Sequence, residues 1–236
     1  MGLKWFAYHI PYLHLMLEPQ TLRFLAQLKK NNNKPWFDAH RAQYEAARID
    51  FSNFIQLVID AVQKWDTTIT GITSRECLFR INRDIRFSKD KQPYKSNFGA
   101  SIKRGGRKSG FAGYYFHCEP GNSFIGGGLW MPEPQPLRNV RQEIDYNWDE
   151  FQNILNEKNF KKAFGDIYKG SELSLSTTPK GYEKDNPAAD YIKLKCFITE
   201  TKVNDEELIR PSLHKKTVTA FQSLQPLLNF INKALE

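Results

Sequence analysis

The hydrophobic periodicity of the chain changes twice, and this change constrains the fold more than any other feature of the sequence. Leu22, Leu25 and Leu28 recur at helical spacing, whereas the apolar residues after Cys77 alternate with polar ones. Helical spacing returns after Leu137. A run of strands between two groups of helices is typical of an α+β domain with a mainly antiparallel sheet. We therefore predict about five strands flanked by N-terminal and C-terminal helices.

The limits of the predicted elements follow from caps, prolines and turn residues. The first helix begins after Pro19 and ends at residues 31–33, three asparagines, because asparagine tolerates the left-handed conformation. A second helix opens at Pro35 and is either long or broken near Asp50. The predicted strands are 78–88, 98–103, 114–118, 123–130 and 191–201, with further helices over 137–168 and around 221–231.

We predict one domain, residues 17–236, preceded by an extension at residues 1–16. No linker-like stretch divides the chain, and Met16 stands directly before the first convincing helix. The apolar tendency of the N-terminus is interrupted by Pro11 and two histidines, and no small-residue cleavage site follows. We therefore expect neither a signal peptide nor a membrane span.

The three cysteines predict neither a disulfide framework nor a metal site. Their number is odd and they lie far apart, each inside an apolar run, at Cys77, Cys118 and Cys196. Zinc sites need paired ligands at short spacing, and the sequence has no C-x-x-C. We expect buried thiols in a reducing compartment, the cytoplasm, and no metal or cofactor.

The positive charge of the chain is concentrated in one window. Residues 80–108 hold ten cations and two acids, a net charge of +8 that equals the charge of the whole chain. The remaining residues carry 24 cations and 24 acids. Basicity that serves solubility is spread over a sequence, so a single source indicates a surface directed at an anionic partner.

The densest part of this window, residues 80–95, reads RINRDIRFSKDKQPYK. Arginine offers a planar fork of donors that binds phosphate or carboxylate through two hydrogen bonds. On a regular strand Arg80, Asp84 and Arg86 project to the same side, so that Asp84 orients the arginines. Arg83 falls on the apolar face and needs either a bulge or a carboxylate partner. The predicted anion-binding residues are Arg80, Arg83, Arg86, Lys89, Lys91 and Lys95.

Three residues are candidates for proton transfer. Asp84 lies among the arginines, and Tyr94 follows a proline that directs the chain back toward them. His117 lies on a predicted hairpin on the same face as Tyr115. A single histidine in a strand is more often structural. For Gly126–Gly128, we favour a packing role over an anion nest, because no phosphate-loop pattern is present.

Several segments resemble domain-of-unknown-function family 2461. They are FLAQLKKNNNKPWFDAHRAQY at 24–44, the basic segment at 80–95, GYYFH at 113–117, GGGLWMP at 126–132 and PKGY at 179–182. The resemblance covers roughly residues 20–200. It supports a single domain and implies no activity, substrate or catalytic residue. It places five further residues among the motif positions, and we expect these to line the same cleft: Trp36, His40, Arg41, Tyr44 and Lys180.

Three interpretations of function stay open at this point. The leading one is a pocket for a phosphorylated or carboxylated small molecule, whether or not a reaction follows. The second is a nucleic-acid-binding domain in which the loop 103–108 joins the basic segment. The third is an interaction domain without a ligand, which gains support if the cations prove to be paired inside the fold. The sequence does not indicate an oligomeric state.

Overall fold

The computed structural model describes residues 15–236. Within them, four antiparallel strands form one sheet in the order β1-β2-β3-β4. The α+β class is confirmed, but the sheet has four strands rather than about five. The strands are β1 Phe98–Ile102, β2 Gly113–Cys118, β3 Ser123–Leu129 and β4 Phe197–Val203.

Helices precede and follow the first three strands, as the periodicity predicted. Two helices of 22 residues, α3 and α10, are the longest of the described chain and pack on the same side of the sheet. The helices are α1 Pro19–Lys30, α2 Lys34–Ala39, α3 Arg41–Val62, α4 Ser74–Cys77, α5 Pro134–Tyr146, α6 Trp148–Asn156, α7 Lys158–Phe164, α8 Ala189–Ile192, α9 Asp205–Leu208 and α10 Ser212–Lys233.

The hydrophobic core lies between the sheet and these two long helices. Alternate residues of the strands face it, among them Ala100, Phe116 and Ile125, which are directly opposite one another across β1, β2 and β3. All three are fully buried. Because successive side chains of a strand point to opposite faces, Tyr115 and His117 lie on the other face.

The hairpin of β2 and β3 confirms the predicted turn. Asn122 donates its backbone N–H to the Glu119 carbonyl oxygen at 2.8 Å, and Gly121 has a φ of 78°. A type II turn requires a positive φ at its third residue, which glycine adopts without steric cost. Pro120 occupies the position before it, where its fixed φ is suited to this turn.

The prediction of a strand at residues 78–88 is wrong. The segment pairs with β1 through an isolated bridge between Leu78 and Ala100, and then turns away from the sheet. From Asn82 onward it pairs with its own continuation, through a bridge to Tyr94. The expected apolar face does not form, since Phe87 is 94% exposed. The basic segment is therefore a folded-back loop at the edge of the sheet.

One helical boundary also differs from the prediction. The second helical region breaks at His40, between α2 and α3, and not near Asp50. Asp50 instead lies inside α3, where its carboxylate accepts hydrogen bonds from the Glu18 backbone at 3.0 Å and the Thr21 hydroxyl at 2.6 Å. These bonds satisfy N-terminal groups of α1, which explains why a buried carboxylate is tolerated within a helix.

The C-terminal half is more divided than its periodicity suggested. The single helical region predicted for 137–168 consists of α5, α6 and α7, and the first part of the predicted strand 191–201 belongs to α8. A glycine at 165 with a φ of 76° ends α7. Short amphipathic helices share one periodicity when they pack on the same core, so their breaks are not visible in the pattern.

The three cysteines are buried free thiols, as expected.

The chain before α1 is already attached to the domain, because Leu17 is buried and the Leu15 carbonyl oxygen accepts a hydrogen bond from the His214 backbone N–H. Most of the predicted extension, residues 1–14, lies outside the described residues. From residue 15 onward, the structure has no helix that is long and apolar enough to cross a bilayer.

The glycines of β3 allow its backbone to fit between β2 and β4. A Cβ atom on Gly128 would overlap the Phe197 carbonyl oxygen, and one on Gly127 would overlap the Gly113 carbonyl oxygen. Gly128 also has a φ of 127°, which L-residues rarely adopt. The packing role predicted for this run is therefore confirmed.

Replacing Gly128 with alanine is expected to destabilise the domain by about 3 kcal/mol or more, because backbone strain and overlap with β4 add together. Gly121→Ala is the matched control. Its φ is also positive, but no atom lies within 4 Å of the added Cβ, so we expect a loss of about 1 kcal/mol. Urea unfolding measures both. Equal losses would show that the neighbouring strand is not the cause.

Candidate functional site

A cleft of about 500 Å³ opens at the β1 edge of the sheet, where the basic segment passes α3 and α4. We call it the α3–α4 cleft. Its apolar lining is supplied partly by Phe37, Leu78 and Ile81. Its charged lining consists of five arginines and one acid: Arg41, Glu45, Arg48, Arg75, Arg80 and Arg107. The lining residues thus carry a net charge of +4.

Three of these arginines come from three different segments and make no ion pair with any described carboxylate. Arg75 lies on α4, and Arg80 follows it in the basic segment. Arg107 belongs to the loop between β1 and β2. Its backbone and side-chain N–H groups both donate to the Glu76 carbonyl oxygen, at 3.2 and 3.1 Å, which fixes this loop against α4.

The acids nearest in sequence are engaged elsewhere. The Glu76 carboxylate caps α4, accepting from the Thr73 backbone at 2.9 Å and the Thr73 hydroxyl at 2.7 Å. These two bonds lower the pKa of Glu76. Asp84 accepts two hydrogen bonds from the Arg86 guanidinium, at 3.0 and 2.7 Å. The hydrogen bonds from Arg86 lower the pKa of Asp84, and the nearby charge of Arg80 lowers it further. Both carboxylates thus make their hydrogen bonds to local partners rather than to the cleft arginines.

The two arginines of α3 are weakly neutralised. Arg41 pairs with Asp38 at 3.1 Å, and Arg48 lies 3.9 Å from Glu45. All four side chains are between 41 and 59% exposed, so neither pair contributes much stability. Tyr44 lies between them, and burial raises the pKa of its phenol. The cleft thus has a charged rim of arginines above an aromatic wall.

The basic segment is held against the N-terminal helices by one asparagine. The Asn32 side chain accepts a hydrogen bond from the Tyr94 N–H at 3.1 Å and donates one to the Tyr94 carbonyl oxygen at 2.9 Å. The Tyr94 ring stacks on Phe37 with centroids 4.0 Å apart and an interplanar angle of 14°. Together these contacts place Tyr94 in the wall of the α3–α4 cleft.

Lys95 lies beside the cleft rather than in its lining. Its ammonium group stands 5.2 Å above the ring of Phe79, which does line the cleft. Burial lowers the pKa of Lys95, and the neighbouring charge of Arg80 lowers it further. Two cations are therefore close together, and one of them, Lys95, is partly buried.

The structure separates the other predicted anion-binding residues from the cleft. Arg83 pairs with Asp90, which supplies the carboxylate partner that its position demanded. Arg86 pairs with Asp84 and is 76% exposed. Neither these residues nor Lys89 and Lys91 line the cleft. The expectation that Arg80, Asp84 and Arg86 share one side of a strand is wrong, because the segment bends after Asn82.

Of the five residues that the family resemblance places at the cleft, two line it and three do not. Arg41 and Tyr44 line the cleft. Trp36 and His40 stack on each other behind it, with centroids 4.0 Å apart, and the His40 ring hydrogen-bonds to the Trp36 carbonyl oxygen. Lys180 is exposed in the loop before α8 and does not line the cleft.

His117 belongs to a polar network on the open face of the sheet. Its Nδ1 lies 3.1 Å from the Tyr115 hydroxyl, and its Nε2 lies 3.4 Å from Glu119, whose other carboxylate oxygen pairs with Lys29 at 3.1 Å. The imidazole stacks on Phe124. Burial lowers the pKa of His117, and Glu119 only partly offsets this. Burial also raises the pKa of Tyr115 to about 12.

The three candidates for proton transfer do not form a unit. Tyr94 is in the cleft wall, Asp84 is bound to Arg86 on the exposed loop, and His117 is on the other face of the sheet. No hydrogen bond joins any two of them in residues 15–236. The same part of the chain contains no cluster of three or more potential metal ligands.

Three arginines of the cleft lie outside the site that the sequence predicts. Arg48 shares a helix face with Arg41 and Tyr44, and this spacing was a usable signal. Arg75 lies five residues before the basic segment, beyond the charge window. Arg107 was counted only as part of a loop. No sequence pattern indicates that this loop folds back onto α4.

The fold and cleft define an α+β domain with an antiparallel four-stranded sheet and arginines gathered at one edge. The chain belongs to the family described as Conserved hypothetical protein (DUF2461), whose model matches residues 20–230. The match runs from α1 to α10 and confirms the resemblance noted in the sequence. No curated protein and no solved structure matches the chain.

Replacing Asn32 with alanine is expected to release the basic segment. The N–H and carbonyl groups of Tyr94 lose their partners in a partly buried place, which costs about 1–3 kcal/mol. We also expect faster hydrogen exchange at the amides of Arg83 and Lys95, which close the base of the loop. Exchange in the β2–β3 hairpin serves as the internal control. If all amides accelerate equally, Asn32 acts on global stability alone.

The pKa of His117, followed by NMR, is expected to lie below its unfolded value of about 6.5. Since the unfolded chain then binds the proton more readily, the stability contributed by neutral His117 is complete above about pH 6.5 and is lost as pH falls through the folded pKa. Glu119→Gln should lower this pKa further, because the carboxylate favours the imidazolium. An unchanged or higher pKa in that variant contradicts the proposed network.

Proposed function

We propose that the α3–α4 cleft binds a small molecule that carries phosphate or carboxylate groups. One observation supports this most strongly. Arg75, Arg80 and Arg107 line a single cleft from three segments, and no described carboxylate forms an ion pair with them.

Like charges brought together without counter-ions raise the free energy of the folded state. This cost is modest where side chains reach water, and larger where they are partly buried, as for Lys95 beside Arg80. An anion in the cleft removes the repulsion and supplies acceptors for the arginine forks. Several arginines lining one cleft, while the local acids hydrogen-bond elsewhere, are typical of a binding site rather than of general basicity.

The shape of the cleft favours a small ligand over a polymer. A volume of about 500 Å³ lies within the usual range for small-molecule sites. The nucleic-acid interpretation requires the loop 103–108 to extend the positive surface. Of its cations, Arg104 pairs with Glu236 at 2.7 Å, and burial lowers the pKa of Lys103. Only Arg107 of that loop lines the cleft.

The proposal is one of binding, and no residue is assigned a part in a reaction. Of the three candidates for proton transfer, only Tyr94 lines the cleft. Tyr94 is 7% exposed and its ring is stacked on Phe37, which suits a wall residue that contacts the ligand. A general base would need a less constrained acceptor within hydrogen-bonding reach of the ligand.

Arg80→Ala is expected to weaken binding of phosphate esters by about tenfold or more, through the loss of one charge-assisted contact. Thermal stabilisation by a library of phosphorylated and carboxylated metabolites identifies ligands, and calorimetry at low salt measures their affinity. The fold should be unaffected, because Arg80 makes no hydrogen bond to a described residue through its side chain.

Lys89→Ala is the matched control, since it removes one positive charge from the same segment but outside the cleft. We expect its affinities to stay within about twofold of the unmutated protein. Equal losses in both variants would indicate a diffuse electrostatic effect. Failure of every anionic small molecule to bind, combined with tight, salt-sensitive binding of an oligonucleotide, would replace the proposal with the nucleic-acid interpretation.

A further inference from the structure

The charge of the α3–α4 cleft exceeds what one anionic group neutralises. Its lining residues carry +4, and including Asp38, which pairs with Arg41, leaves +3. A carboxylate supplies one negative charge, and a phosphate monoester about 1.5 to 2. A ligand with a single such group would leave arginines of the cleft uncompensated.

The origins of the arginines indicate separate contacts on the ligand. Arg41 and Arg48 stand about two turns apart at the start of α3, Arg75 is on α4, and Arg107 is on the loop between β1 and β2. Each guanidinium engages two oxygens of one phosphoryl or carboxylate group when it binds as a fork. Forks that approach from different segments are suited to several groups on one ligand.

Resting on the function proposed above, we propose that the ligand carries two or more phosphoryl groups, as in a diphosphate, a triphosphate or a multiply phosphorylated small molecule. Tetrahedral phosphoryl groups present oxygens in several directions, which allows arginines from different segments to share one ligand. The cleft lining contributes one carboxylate, Glu45, and five guanidinium groups. Because carboxylates repel phosphoryl oxygens and guanidinium groups donate hydrogen bonds to them, the arginine side chains make the direct contacts with the ligand.

Calorimetric titration of the full chain with orthophosphate, pyrophosphate, tripolyphosphate and citrate tests this. Pyrophosphate and tripolyphosphate should bind at least about tenfold more tightly than orthophosphate, since each added phosphoryl group engages another arginine. Citrate, which carries three carboxylates, separates phosphoryl recognition from charge alone. If it matches pyrophosphate in affinity, the inference of a phosphoryl ligand is overturned.

Arg75→Ala shows whether the preference arises in the cleft. Arg75 makes no side-chain hydrogen bond in the described chain, and the cap of α4 uses Thr73 and Glu76 instead. We expect the preference for pyrophosphate over orthophosphate to fall at least about threefold, while Lys89→Ala keeps it. An unchanged preference in Arg75→Ala places the extra phosphoryl group elsewhere and overturns the inference.

The possible failures are distinguishable. If orthophosphate binds as tightly as tripolyphosphate and both depend on Arg80, the proposed function stands and the multiple-phosphoryl ligand is wrong. If none of the four anions binds while the metabolite library yields a carboxylated ligand that depends on Arg80, the inference alone is overturned. If binding of every ligand is indifferent to Arg80, both proposals fail. A longer single-stranded oligonucleotide that binds far more tightly than tripolyphosphate, with affinity rising with its length, indicates a polymer and also overturns the inference.

Discussion

The position of the basic segment depends on the contact between Asn32 and Tyr94. This segment has little regular structure of its own, and its backbone hydrogen bonding to β1 ends soon after Leu78. A side-chain amide that satisfies both backbone polar groups of Tyr94 substitutes for a neighbouring strand. The stack of Tyr94 on Phe37 adds apolar burial at the same point. Because Asn31 is the C-cap of α1, the end of this helix places Asn32 beside Tyr94.

Competition for carboxylates explains why positive charge collects in the α3–α4 cleft. Asp84, Asp90 and Glu76 are close in sequence to the cleft arginines, yet each is bound within a few residues of itself. Local contacts of this kind cost little chain entropy, so they form in preference to longer-range ion pairs. The arginines left without an ion pair are those whose neighbouring acids cap a helix, as Glu76 does, or hold a turn, as Asp84 does. A cleft with surplus charge is thus the result of local pairing elsewhere.

The open face of the sheet shows a different use of polar residues. There the histidine, tyrosine and glutamate of the β2–β3 hairpin satisfy one another, and Lys29 ties them to α1. Such a partly buried network is stable only when its members are paired, which is the case here. It joins the same helix that leads to Asn32, so α1 anchors both the sheet and the basic segment. The glycines of β3 permit close packing of the strands beneath.

The sequence by itself determined the fold class, three of the four strands and the turn of the β2–β3 hairpin, because periodicity and turn chemistry act over a few residues. It also placed Arg80, Tyr94, Arg41 and Tyr44 near one another through charge density and family resemblance. The tertiary structure decided that residues 78–88 form a loop, that Arg83, Arg86, Lys89 and Lys91 leave the cleft, and that Arg48, Arg75 and Arg107 enter it. These outcomes depend on which carboxylate each cation pairs with and on the contact between the β1–β2 loop and α4. Contacts between segments distant in sequence decide them, and a one-dimensional pattern does not contain that information.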